Sequence, residues 1–290
     1  MEKAISIRID AEMDGNKIKY ILRDYFKISA SMLKKLKREA DGILLNGAHA
    51  TVVEKVREGD VLEINIKGEE SEHIVPVDIP LDILLEDEDI LVVNKPGTMP
   101  VHPSRWHGDD TLANGVMYHI GSRDKIHIIT RLDKETSGIV LIAKNPWSAA
   151  LLSEQMKNGK INKEYIAIVN GTPQPESATI SAPIRRKEED EMLRCVADDG
   201  KEAVTIYEVT EKTEDLSLMK LIPVTGRTHQ LRVHMSYIGN PIYGDIMYGA
   251  MQENERTRLH CRKISFYHPK TEEEIVIDTP IPDDFNNLMK

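Results

Sequence analysis

His127-Ile-Ile-Thr130-Arg131-Leu132-Asp133-Lys134-Glu135-Thr136-Ser137-Gly138-Ile139-Val140-Leu141 breaks one apolar run at Thr130 and starts another at Ile139. Two such runs read as strands, so Arg131-Leu132-Asp133 stands on a loop held between them. A loop anchored at both ends by strands is a rigid platform for a reactive side chain. The flanking cations Arg131 and Lys134 favour the ionised Asp133 that a nucleophilic carboxylate requires. The same residues also form an ordinary turn if Asp133 accepts backbone N–H groups near Thr136 and Gly138.

Working outward, short strands with turns continue on both sides: Ile83–Leu85, Ile90–Asn94, Ile126–Thr130, Gly138–Lys144, Glu164–Asn170, Ala203–Thr210, Leu216–Pro223 and Ile275–Ile277. Helices are predicted at about Asn145–Asn158 and Thr228–Ile238. Many strands with few helices give an α+β class, a large mixed and mainly antiparallel central sheet with flanking helices.

The N-terminal stretch has a different texture. Ile18, Ile21, Leu22, Tyr25 and Phe26 recur at the spacing of an amphipathic helix. Ser29-Ala-Ser31 offers an N-cap to a second short helix that starts Met32, Leu33, Leu36. Ile43-Leu-Leu45 then enters an Asn46-Gly47 hairpin turn, and Val61–Ile64 completes a small unit. With 290 residues the chain exceeds the roughly 100–200 of one domain. The expected division is a small α/β module over 1–70, a polar linker over 71–79 and a second domain over 80–290.

A hydrophobic share of 40% and a charged share of 30% describe a soluble protein with a real core. Cys195 and Cys261 lack CxxC spacing, which argues against a disulfide framework or zinc ribbon and fits a reducing cytoplasm. No apolar signal core opens the chain and no run approaches the ~20 apolar residues of a membrane span, so a cytoplasmic protein without a membrane partner is expected. The net charge of −10 speaks against a polyanion partner. Its distribution speaks the other way: Lys17, Lys19, Arg23, Lys27, Lys34, Lys35, Lys37 and Arg38 face one acid, Asp24. Acid gathers instead at 69–72, 82–89, 188–191 and 272–274.

Three more segments can carry chemistry. On the strand through Lys163-Glu164-Tyr165, Lys163 and Tyr165 share a face. A Tyr there can stack on a base, move a proton or simply pack. In Thr225-Gly-Arg227-Thr228-His229-Gln-Leu231-Arg232-Val-His234, Thr225 or Thr228 can cap a helix that projects Arg232 from its first turn. His229 and His234 are five apart, not the four of a helical metal pair, so no metal site is expected. Asn94-Lys95-Pro96-Gly97…Val101-His102-Pro103 runs from a strand into a stiff loop with Lys95 and His102 near its ends.

In this order the segments resemble the RluA/RluD family of pseudouridine synthases, together with Gly239-Asn-Pro-Ile-Tyr-Gly-Asp245 and Leu259-His-Cys…Phe266-Tyr-His-Pro269. The matching pieces span residues 80–282, and the N-terminal module resembles the S-four-like (alpha-L) RNA-binding module that many members carry. One departure is Thr130, where many members have His before Arg-Leu-Asp.

The resemblance implies the pseudouridine synthase fold and an isomerase that needs no cofactor and no metal. Asp133 would be the catalytic carboxylate and Arg232 its partner, with Tyr165 stacking on the flipped uracil and assisting the proton transfer. Arg131 would fill the gap left by the extruded base, and Leu231 would wall the pocket. Lys163, Arg227, His102, Lys34, Lys35 and Arg38 would hold RNA, with large-subunit ribosomal RNA the expected partner, transfer RNA the alternative, and a monomer the expected state. Two other readings stay open: a catalytically silent RNA chaperone on the same surface, and a carboxylate hydrolase using Glu135 as second acid.

Overall fold

The computed structural model describes residues 3–68, 71, 74–104, 107–121, 125–188, 192–251 and 255–290. Positions 69 and 70 at the end of the expected module, 72 and 73 of the expected linker, and 189–191 of one acidic run lie outside the described residues.

The N-terminal residues form β1 (Lys3–Arg8), α1 (Ile18–Asp24), α2 (Ala30–Leu36), β2 (Ile43–Leu45), β3 (Ala48–His49) and β4 (Val61–Ile66). The strands make an antiparallel sheet in the order β1-β4-β2-β3. Ser29 caps α2 by accepting a hydrogen bond from the Met32 amide at 3.2 Å. Asn46 and Gly47 take φ of 52° and 78°, the paired left-handed geometry of a tight hairpin. Strand β1 had no counterpart in the sequence reading. Its six residues, Lys-Ala-Ile-Ser-Ile-Arg, are short and half polar, and they pair only at the sheet edge.

The rest of the chain contributes β5 (Ile83–Glu86), β6 (Ile90–Lys95), α3 (Leu112–Ile120), β7 (His127–Ile128), β8 (Ser137–Ala143) and α4 (Pro146–Lys157). There follow β9 (Asn162–Asn170), β10 (Ser177–Ser181), a small hairpin β11 (Ile184–Arg186) and β12 (Arg194–Val196), β13 (Val204–Lys212) and β14 (Leu216–Pro223). Helix α5 (Gln230–Tyr237), β15 (Leu259–Tyr267), β16 (Glu274–Asp278) and α6 (Asp283–Asn286) close the chain. Among the described residues one sheet runs β10-β13-β14-β9-β15-β8-β6-β5, with β16 on β15 and β7 on β8. All its pairings are antiparallel except β15 with β8, so the sheet is mixed and mainly antiparallel as expected.

Every residue of β8 is buried, which explains its unbroken Ile139-Val-Leu-Ile-Ala run: both faces of a central strand are covered. Full burial of each such aliphatic side chain contributes about 1.5–3 kcal/mol. Trp147, on the first turn of α4, is buried in the N-terminal core and donates its indole N–H to the Phe26 carbonyl at 2.8 Å.

Position 138 requires glycine. Its φ is 112°, and a Cβ there would run into the backbone of Cys261 on the neighbouring β15. That close approach brings the end of the Asp133 loop against the strand opposite Tyr165, because Cys261 pairs with both Gly138 and Tyr165.

Candidate active site

Asp133 sits in the loop between β7 and β8. The turn is closed by the Thr136 amide donating to the main-chain carbonyl of Asp133 at 3.1 Å, and the carboxylate itself accepts from neither Thr136 nor Gly138. The carboxylate stands instead in a cleft of about 490 Å³. Beneath the loop, the buried Lys95 ammonium donates to the carbonyls of Pro96, Met99 and Lys134 at 2.7, 2.8 and 3.1 Å, tying two loops together one residue from Asp133. Burial pushes the Lys95 pKa down to about 7. Thr130, in the place where the resemblance expects His, is buried and accepts the Leu141 amide at 2.9 Å through its hydroxyl.

Arg232 comes from the first turn of α5 and crosses to the cleft. Its Nη1 lies 3.3 Å from Asp133 Oδ2, while Nε and Nη2 donate to Asp245 Oδ2 and Oδ1 at 2.7 Å each. Its guanidinium also lies over the Tyr248 ring at 5.0 Å. Against the cost of burial, Asp245 and Asp133 raise the Arg232 pKa above its ordinary range.

Neither Thr225 nor Thr228 caps α5. The helix begins one residue after His229, whose left-handed φ of 57° stops it from extending further back. The Thr225 hydroxyl is spent on Gln230 Oε1 at 2.8 Å and on the Val204 amide at 2.9 Å. Gln230 in turn holds the Arg227 amide, the Val204 carbonyl and the Thr205 hydroxyl. His234 bridges the Thr205 hydroxyl and the Ala182 carbonyl at 2.9 Å each. These bonds of Thr225, Gln230 and His234 pin the segment whose residues from Thr225 to Arg232 line the cleft.

Tyr165 and Lys163 share one face of β9 and both line the cleft, as the strand period requires. Tyr165 is buried, and burial, with the buried Cys261 paired opposite it on β15, raises its pKa well above the ordinary phenol value. Burial likewise lowers the Lys163 pKa. His102, Arg131, Arg227 and Leu231 also line the cleft; Arg131 and Arg227 are exposed at its edge and Leu231 is buried in its wall. Glu135 does not line it.

Lys34, Lys35 and Arg38 are exposed on and just after α2 and none lines this cleft; Lys35 and Arg38 border a separate groove against β4 and α4. Asp89, before β6, is also elsewhere: it is buried and accepts from Asn145 and Ser148 at 2.8 and 3.1 Å, bracing the start of α4. Sequence reasoning gave no role to Asp245, Tyr248 or His229. Their signal lies only in the partners that the fold supplies.

A carboxylate and a tyrosine ring lining one cleft of mixed polar and apolar wall, with an arginine fixed beside the carboxylate, suit chemistry in which positive charge develops on a bound sugar or a base must be gripped and turned. Among the described residues no helix is long and apolar enough to cross a membrane. The family model for RNA pseudouridylate synthase matches residues 89–237. An RNA pseudouridine synthase of Bacillus subtilis, YjbO, uncharacterized by its name, is 41% identical over 91% of this chain and 95% of its own. The ribosomal large subunit pseudouridine synthase D of Xanthomonas campestris is 32% identical over 95% of this chain and 88% of its own. The solved structure of human RNA pseudouridylate synthase domain containing 1 superposes with a TM-score of 0.60 at 29% identity, covering 69% of this chain and 83% of its own. The chain that carries this cleft belongs to the RNA pseudouridylate synthase family, enzymes that isomerise uridine to pseudouridine in RNA.

Proposed function

We propose that this enzyme modifies uridines of large-subunit ribosomal RNA, with Asp133 as the catalytic carboxylate. The observation that carries the assignment is the placement of Asp133 at the cleft, against the fixed Arg232 and beside Tyr165. The target class is supported by relatives named for the ribosomal large subunit at 32 and 35% identity.

The reaction exchanges one bond. The uracil N1–C1′ bond breaks, the base turns in the pocket, C5 joins C1′, and C5 gives up a proton while N1 gains one. Asp133 serves the electron-poor state at the ribose and base as the first bond breaks. Arg232 keeps that carboxylate aimed. Tyr165, protonated at neutral pH because burial disfavours its anion, stacks on the flipped uracil and takes up the C5 proton as its own hydroxyl proton passes on, directly or through solvent, to N1. Arg131 fills the gap in the RNA stack, Leu231 walls the base, and Lys163, His102 and Arg227 contact the flanking strand. No cofactor takes part in this scheme.

The N-terminal residues 1–70 act as an S-four-like RNA grip through Lys34, Lys35 and Arg38, and the enzyme works as a cytoplasmic monomer. The direct test is Asp133→Asn on an unmodified large-subunit ribosomal RNA transcript carrying 5-tritiated uridine. Tritium release should vanish while RNA affinity stays within a few-fold. Measurable release by the purified variant defeats the assignment. Free uracil among the products would indicate a hydrolase, but Glu135 lies outside the cleft and offers no second acid there.

A further inference from the structure

The two oxygens of Asp133 are addressed from different sides. Arg232 Nη1 stands 3.3 Å from Oδ2, and His229 Nε2 stands 3.8 Å from Oδ1. We propose that His229 is a positioning residue for the catalytic carboxylate, presenting an Nε2–H to the oxygen that Arg232 leaves unheld and so fixing which way that oxygen faces. The inference rests on Asp133 being the catalytic carboxylate.

The hydrogen bonds around the ring decide its tautomer. The Arg194 amide donates to the Tyr248 hydroxyl at 3.1 Å, and that hydroxyl lies 2.7 Å from His229 Nδ1. With the Arg194 amide occupying a lone pair of the phenol oxygen, the phenol proton is free to go to Nδ1. The imidazole proton is then on Nε2, the nitrogen aimed at Asp133. The Tyr248 ring meets the imidazole edge-on at 5.6 Å and 82°, which holds the ring plane.

The charged and titratable groups around the imidazole are Asp133 from the catalytic loop, Arg232 from α5, Arg194 from β12, and Asp245 and Tyr248 from the segment after α5. Burial, reinforced by Arg232 and Arg194, lowers the His229 pKa against the opposite pull of Asp133 and Asp245. The ring therefore serves as a neutral donor at pH 7 rather than as a second cation.

The 3.8 Å separation is longer than a hydrogen bond and closes with a modest rotation when substrate fills the cleft. The backbone supplies an independent clue. His229 holds a left-handed φ of 57°, a conformation that asparagine or glycine takes more readily. If the position served only to stop α5, asparagine would suit it better.

That contrast gives the experiment: tritium release at saturating and subsaturating RNA, on the same unmodified transcript, by His229→Gln, His229→Asn and Tyr248→Phe. The Gln amide nitrogen reaches where Nε2 stands, and kcat should remain within about five-fold, whereas Asn reaches only the Nδ1 position and should lose up to about 100-fold in kcat with KM unchanged. Tyr248→Phe keeps the ring over Arg232, removes the tautomer-setting hydroxyl and should lower kcat in the same sense. Melting temperatures exclude unfolding as the cause. Asn equal to or better than Gln overturns the proposal in favour of a backbone role. A raised KM with unchanged kcat overturns it in favour of an RNA contact. If Asp133→Asn itself retains release, the assignment of the carboxylate fails; if Asp133→Asn is dead and all three variants are normal, only the role of His229 fails.

Discussion

Asp245 grips Arg232 through two hydrogen bonds of 2.7 Å, and both side chains are almost fully buried. The contact of the same guanidinium with Asp133 is a single one of 3.3 Å, to a carboxylate that is 29% exposed. Arg232 is thus anchored by Asp245 and only offered to Asp133. A fork fixed at one carboxylate has no freedom to swing, so it presents Nη1 to the second in one place.

Loss of the anchor should therefore harm both stability and rate. Asp245→Asn leaves Arg232 buried with half its compensation, a defect worth about 3–5 kcal/mol when a buried pair is broken. The expected result is a clear fall in melting temperature and a fall in single-turnover rate of about 100-fold. Asp133→Asn should instead melt like the parent protein, because Asp245 still neutralises the arginine. Calorimetry on the two variants side by side checks this; a larger loss for Asp133→Asn reverses the assigned roles.

Arg232→Lys keeps the charge and loses the fork. A lysine cannot bond Asp245 through two nitrogens while reaching Asp133 with a third. Expected is a rate loss nearly as large as that of Arg232→Ala, measured by single-turnover tritium release. Near-normal kinetics for Lys would mean that the positive charge alone matters, not its aim.

Tyr165→Phe separates stacking from proton transfer. The ring remains in its buried site, so RNA affinity should hold, while loss of the hydroxyl should slow the reaction by about 10²–10⁴-fold, the usual weight of a general acid–base group. A 5-deuterated uridine substrate should show a larger isotope effect in this variant. Unchanged turnover would reduce Tyr165 to a packing residue.

The parts of this design that were legible from sequence are those decided locally. The cap within Ser29-Ala-Ser31, the Asn46-Gly47 turn and the loop carrying Asp133 each depend on neighbours a few residues away. The pairing of Asp133 with Arg232 spans 99 residues, and no periodicity carries it; the family resemblance alone suggested it. Strand β15 was missed although it lies between β9 and β8, because Leu259-His-Cys-Arg-Lys mixes polar residues whose burial is set by distant partners. His260, for instance, is buried because Ser137 and Thr279 satisfy its two nitrogens at 2.8 and 2.9 Å. Helix α3 was hidden by Asn114 and Gly115: the first completes a capping box with Thr111, and the second lets Ile79 and Leu81 approach. Asp245, Tyr248 and His229 drew no assignment because their roles exist only where the segment after α5 folds back beneath Arg232.

His260 also predicts an acid limit to stability. Burial, with help from Arg256 and Arg262, lowers its pKa from 6.5 to about 4. The unfolded chain takes up the proton near pH 6.5 and the folded protein only near 4, so stability is full above about 6.5 and drains as pH falls between them. A shift of that size corresponds to about 3 kcal/mol. Melting temperatures from pH 7.5 to 4 should fall less steeply in His260→Gln than in the parent protein. Parallel curves would show that His260 is protonated in both states alike.

The RNA-gripping role of the N-terminal unit is better tested by charge than by deletion. Removing residues 1–70 would strip the cover from Trp147, which is buried in that unit's core, and a weakened catalytic half would mimic lost binding. Lys34, Lys35 and Arg38 are exposed, so replacing all three by Gln leaves the core intact. If each neutralises a phosphate, the slope of log K against log salt should shrink by about two units, because each contact releases less than one counterion. Turnover at saturating RNA should stay unchanged, since none of the three lines the catalytic cleft. An unaltered slope would move the grip to the basic residues at the cleft's own edge, Arg131 and Arg227, where the same substitution should then change affinity and rate together.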